Sequence, residues 1–227
     1  MDVEQAVDRL RSMGDPKAVE GMARFGIQSS SSFGISVPKL RSLAREVGRD
    51  HQLALKLWET GLHDARLLAS MVDDPEQVTV DQMDKWVRDF DSWDVVDGSC
   101  GTLFDKTPFA VAKAREWCKR EEEFVKRAGF VLMAELAVHD KQAKDKLFLD
   151  FLPLIIAGAS DKRNFVKKAV NWALRQIGKR NLKLNRAAVS AALKIQKNQS
   201  GAARWVASDA LRELKSPQVQ KRLRENN

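Results

Sequence analysis

The sequence predicts an all-α chain of stacked helical hairpins, and three observations carry that prediction. Helix formers (Ala, Leu, Lys, Arg, Glu, Gln) fill most segments, and tyrosine is absent from the 227 residues. Apolar residues recur with helical rather than alternating spacing, as from Ala54 to Trp58 and from Lys146 to Ile156. An internal repeat runs through the second half: Phe124-Val125-Lys126-Arg127-Ala128 returns 41 residues later as Phe165-Val166-Lys167-Lys168-Ala169.

The repeat extends further. Glu135-Leu136 falls opposite Gln176-Ile177 at the same offset. A looser copy, Ala203-Arg204-Trp205-Val206-Ala207, precedes Ala210-Leu211-Arg212-Glu213-Leu214, which matches Ala173-Leu174-Arg175-Gln176-Ile177 at an offset of 37. Helical pairs that recur about every 40 residues are the signature of HEAT-type or armadillo-type arrays. Such hairpins stack into a curved solenoid, an alpha-alpha superhelix with a concave face. With no Gly/Ser linker or low-complexity tract, residues 1–227 read as one continuous domain.

Turn signals fall at Asp15-Pro16, Val37-Pro38, Asp74-Pro75, Thr107-Pro108, Leu152-Pro153 and Ser216-Pro217. Proline suits the first turn of a helix, where its missing N–H costs nothing. Thr107-Pro108 therefore reads as an N-cap and first-turn pair. The run Ser29-Ser30-Ser31-Ser32 reads as a loop or N-cap region.

Composition narrows the function classes. The chain is 44% hydrophobic and 31% charged, an ordinary globular balance. No stretch approaches the roughly 20 consecutive apolar residues of a membrane span. The start, Met1-Asp2-Val3-Glu4-Gln5, does not read as a secretory signal. Cys100 and Cys118 stand apart from one another, and His51, His63 and His139 are scattered, so no metal site, disulfide framework or cofactor is expected. A cytoplasmic location follows as the default.

Charge is uneven along the chain. Residues 161–227 hold 17 Lys/Arg against 4 Asp/Glu, a net +13, while the protein as a whole carries +8. An excess on one side suits a polyanion such as a nucleic-acid backbone. It equally suits a lysine-rich, solvated helical end.

The segment Asp91-Ser92-Trp93-Asp94-Val95-Val96-Asp97-Gly98 is the chemically suggestive one. Asp91 or Ser92 can cap a new helix, and Trp93 and Asp97, four apart, then share a face. A carboxylate can stabilise an oxocarbenium-like sugar or orient a water, and an indole face can hold a cation. The plain alternative is a helix start with a core tryptophan and a solvated acid. In the repeated helix, Trp172 shares a face with Lys168 and Arg175, and Arg127 occupies the position equivalent to Lys168 one repeat earlier. Trp58, Trp86, Trp117 and Trp205 read as core.

These pieces, taken in order, resemble the DNA alkylation repair family of HEAT-like-repeat alkylpurine DNA glycosylases. Met22-Ala23-Arg24-Phe25 resembles the family's early Met-Ala-Arg-aromatic segment. Phe33 to Arg41 resembles its Gly-Ile-x-x-Pro-x-x-Arg segment, and Ser92 to Asp97 its Trp-Asp-x-x-Asp motif. Phe124 to Ala128 and Lys168 to Arg175 resemble its two later repeat helices. The resemblance implies that Asp97 is the catalytic carboxylate and that Trp93 and Trp172 are the aromatic pair that cradles the damaged nucleotide. It implies that Arg127 sits near the backbone of the lesion strand and that Phe25 is a further contact; Lys168 and Arg175, cations on the repeated helix, and Arg41 are also expected to contact DNA. Phe25 stands where a relative has tyrosine, and Ser92 where the pattern can carry another tryptophan. The implied partner is duplex DNA containing alkylated bases, bound by a monomer. The implied reaction is hydrolysis of the N-glycosidic bond of cationic purines, the N3-methyladenine and N7-methylguanine class, without base flipping. A non-catalytic nucleic-acid binder and a protein-interaction scaffold are the other readings that the repeat and the basic end allow.

Overall fold

The computed structural model describes residues 1–27 and 30–225; Ser29 of the serine run lies outside them. Among the described residues the regular structure is entirely helical, as the sequence predicts. The chain groups into two compact units, Met1–Pro108 and Phe109–Asn227.

The first unit holds α1 (Val3–Ser12), α2 (Pro16–Met22), a 3-10 turn (Ala23–Phe25), α3 (Val37–Val47), α4 (His51–Glu59), α5 (His63–Val72), α6 (Val80–Arg88), α7 (Trp93–Thr102) and a second 3-10 turn (Phe104–Lys106). Short polar caps start several of these. Asp15 accepts from the Lys17 and Ala18 amides ahead of Pro16, and Asp50 and Thr79 cap α4 and α6. Helix α5 packs against α3, α4 and α7. The core centres on aromatics: the Trp58 and Trp86 rings stack at 4.0 Å and 4°, with Phe90 and Phe104 against their edges. Each such pair adds about 1 kcal/mol beyond area burial. At Gly34 the backbone takes φ 76°, and a Cβ there would stand 2.5 Å from the Asp15 carbonyl, so only glycine fits.

The second unit holds α8 (Ala110–Trp117), α9 (Glu123–His139), α10 (Asp145–Gly158), α11 (Asn164–Gly178), α12 (Leu182–Gln196), α13 (Gly201–Leu214) and α14 (Pro217–Glu225). The helices form successive pairs, α8 with α9, α10 with α11, α12 with α13, and α9, α11 and α13 stack side by side. This is the repeat seen in the sequence. Val125, Ala128 and Leu132 of α9 are buried, as are Val166, Ala169 and Ala173 of α11, 41 residues later. The equivalent Phe124 and Phe165 rings touch, with centroids 5.7 Å apart. A Cβ on Gly129 would fall 2.2 Å from the Cys118 amide nitrogen, so this glycine sets how closely α9 approaches α8.

Three expectations need correction. Thr107-Pro108 does not open α8, whose N-cap is Phe109; the Thr107 hydroxyl donates instead to the Phe104 carbonyl. Leu152-Pro153 is not a turn, because α10 runs through Pro153. The helix survives the lost N–H because Phe148, Phe151, Leu152 and Ile155 are buried along it. Trp58, Trp86 and Trp117 are core, but Trp205 is 41% exposed.

Candidate functional site

Helix α7 presents the candidate carboxylate. Val95, Val96, Ser99 and Cys100 are buried, while Trp93, Asp94 and Asp97 are half-buried. Trp93 and Asp97, one helical turn apart, therefore share a half-buried face of α7, as their spacing predicts. The indole is held in place: its Nε1–H donates to the Phe25 carbonyl at 3.0 Å. Phe25 itself is 71% exposed, at the end of the first 3-10 turn. Its role next to Trp93 thus falls to its main chain, which side-chain comparison could not reveal. Arg24 and Arg41 of the same unit are exposed.

A buried polar network sits under the start of α7. Ser92, the N-cap, donates its hydroxyl to the Asp94 carboxylate and accepts from no helix amide. The other Asp94 oxygen bonds His63 Nε2 at 2.9 Å, and His63 is only 4% exposed. Burial opposes protonation of His63. The Asp94 hydrogen bond and charge, helped by Asp64 and Asp91, outweigh it and hold the imidazole pKa above its ordinary value. For Asp94, burial acts to raise the pKa, and the His63 and Ser92 hydrogen bonds more than offset it, so the net shift is downward. Next along α5, Asp64 is 1% exposed and accepts from the Ser32 hydroxyl at 2.9 Å and the Phe33 and Ile35 amides at 2.6 and 3.0 Å. It thereby pins the loop that resembles the Gly-Ile-x-x-Pro segment.

In the second unit, Lys168, Trp172 and Arg175 lie along one face of α11. Lys168 is exposed and Trp172 half-buried. Arg175 is drawn toward α13 instead of standing free: its Nη1 donates to Glu213 at 2.6 Å and lies 3.6 Å from Asp209. Lys179 also binds Glu213, at 2.7 Å. Burial works to raise the Glu213 pKa, and the two cations outweigh it, holding the carboxyl below the usual range. Arg127, expected at a DNA backbone, is 5% exposed and donates from Nη1 to the Phe165 carbonyl at 2.6 Å. It links α9 to α11. Its repeat equivalent Lys168 is exposed, so a shared repeat position does not mean shared exposure.

Sequence reasoning thus placed Trp93 with Asp97 on α7 and Lys168 with Trp172 on α11. It missed His63 and Asp64, whose partners lie about 30 residues away and leave no local signal, as in the His63–Asp94 contact. It also missed the exposure of Trp205, for which the 37-residue offset was a usable signal.

A solved structure described as a new family of proteins related to the HEAT-like repeat DNA glycosylases, with affinity for branched DNA structures, superimposes with a TM-score of 0.77. It is 19% identical, with 94% of this chain and 95% of that chain covered, and the likeness establishes the fold. The chain is also 23% identical over 136 residues to the uncharacterized protein Lin0241 of Listeria innocua, and 22% to Lmo0209 of Listeria monocytogenes. In both cases it spans 61% of the relative's length and the match takes in 58% of this chain. The family model for the DNA alkylation repair enzyme matches residues 6–214, nearly the whole chain, and the protein belongs to that family.

Proposed function

We propose that the protein is a DNA glycosylase that hydrolyses the N-glycosidic bond of cationic alkylated purines in duplex DNA. The observation that carries this reading is the half-buried face of α7, where a carboxylate stands one turn from an indole pinned to the Phe25 carbonyl. Membership of the DNA alkylation repair family supports it.

Alkylation leaves the purine positively charged, so it departs as a neutral base and needs no strong general acid. As the bond between C1′ and the purine nitrogen lengthens, its electron pair moves to the base and positive charge develops on the sugar. The Asp97 carboxylate supplies the opposite charge, and the electron-rich face of Trp93 adds to it. Water then bonds to C1′ and gives up one proton, for which Asp97 is the acceptor in reach of the sugar. Trp172 is assigned the second indole of the aromatic pair by the family resemblance, and the base stays stacked in the duplex. Lys168 holds the DNA backbone. Arg41 and Arg24, both exposed on the first unit, serve the same purpose there.

The test is release of methylated purines from alkylated duplex, separated by chromatography. The wild-type protein releases them, and Asp97→Asn slows release by roughly 10²–10³. Equal release by both proteins refutes the catalytic assignment. The affinity for branched DNA attached to the solved relative favours a second reading, binding without base release. Salt-sensitive binding to a DNA junction with no base released by the wild type would support that reading.

A further inference from the structure

Trp205 differs from the buried tryptophans Trp58, Trp86 and Trp117 in its exposure. The buried positions Val166, Ala169, Val170 and Ala173 of α11 recur 37 residues later as Ala203, Val206, Ala207 and Ala210 of α13. That register sets Trp205 at the position held by Lys168 on α11. A large indole, 41% exposed, therefore occupies a surface position where the preceding repeat has an exposed cation. The Lys167 ammonium lies 4.8 Å from the ring centroid, and Arg204 and Arg212 of the same helix are exposed.

A single exposed apolar side chain is ordinary on a protein surface. An exposed indole beside the Lys167 ammonium, in the most basic third of the chain, matches a narrower class of ligand. A nucleotide offers both a π-face for the ring and a phosphate for the cations. Bases inside a duplex already have both faces stacked, so only an unpaired base can lie on the ring.

We propose that Trp205, with Lys167, forms a nucleic-acid site that stacks an unpaired DNA base and holds its phosphate. This inference rests on DNA being the partner, as proposed above, and is independent of Asp97.

The experiment compares full-length wild type, Trp205→Ala and Trp205→Phe by fluorescence anisotropy at one salt concentration. The probes are a labelled oligothymidylate single strand and a blunt duplex, and melting temperatures confirm that each variant is folded. Trp205→Ala is expected to weaken single-strand binding roughly tenfold while duplex binding is unchanged, and Trp205→Phe to retain most of the affinity. Single-strand binding undiminished in Trp205→Ala would overturn the proposal. So would an equal loss on both probes, which would make Trp205 a general backbone contact. If the wild type binds neither probe, the DNA reading itself falls. If instead Asp97→Asn releases bases as fast as wild type, catalysis by Asp97 falls while the Trp205 site stands.

Discussion

The two units connect their helices with groups of opposite charge. In Met1–Pro108 the connectors are mostly carboxylates, buried at Asp64 and Asp73 and half-buried at Asp89 and Asp94. Asp64 gathers a hydroxyl and two amides, Asp94 takes Ser92 and His63, Asp73 takes His51 and Gln82, and Asp89 accepts from the Trp58 indole. In Phe109–Asn227 the connectors are mostly arginines that reach main-chain carbonyls one repeat away. Arg127 donates to Phe165, Arg163 to Glu121, Arg180 to Ala137 and Arg222 to Lys179. Arg180 and Arg222 meet the carbonyl ends of α9 and α11, where a cation also favours the helix dipole. The comparison teaches that net charge overstates what the basic unit offers a ligand. Part of its positive charge is structural, just as part of the first unit's negative charge is.

The sharpest test of the comparison is to remove a connector from the first unit. Asp64→Ala leaves three donors of residues 32–35 without their acceptor inside the protein. It should cost about 4 kcal/mol, read as a large fall in the urea midpoint. Asp64→Asn, which keeps one acceptor oxygen, should fall between the two. A midpoint unchanged in Asp64→Ala would show that the loop holds without its carboxylate.

A smaller effect distinguishes the charged pair from plain packing. His63 has a raised pKa, so its contribution is complete below the unfolded value of about 6.5 and fades as pH climbs through the folded value. Asp94 has a lowered pKa, so its contribution is complete above about 3.9 and fades as pH falls through its folded value. The difference in melting temperature between wild type and His63→Gln should therefore be largest from about pH 4 to 6.5 and shrink toward alkaline pH. A difference that did not shrink as the pH rose above about 6.5 would mean that His63 acts only as a neutral filler.

Sequence reading recovered the features that are local. The 41-residue and 37-residue offsets carried the stacking of α9, α11 and α13, because buried positions repeat with the helices that bear them. Four-residue spacing carried the shared face of Trp93 and Asp97. What it missed depends on partners distant in sequence. Nothing near Arg175 announces Glu213, 38 residues on, and nothing near His63 announces Asp94. Periodicity also could not distinguish Trp205 from Trp117, since both sit in amphipathic helices. Only the alignment of Trp205 with Lys168 separates them.

The finest test contrasts two cations that the sequence treats alike. Lys168 and Arg175 share a face of α11, yet Lys168 is exposed and Arg175 is held by Glu213 and Asp209. Lys168→Ala should leave the melting temperature unchanged and weaken binding to damaged and intact duplex alike. Its plot of log affinity against log salt should flatten by about 0.9, the loss of one neutralised phosphate. Arg175→Ala should do the reverse: stability falls by about 1 kcal/mol, the scale of a partly exposed ion pair, and the salt slope stays where it was. Glu213 would keep Lys179 as its partner, which limits the loss. Should Arg175→Ala flatten the salt slope as Lys168→Ala does, DNA must draw the arginine away from its carboxylates, and the division between structural and available cations would fail at this position.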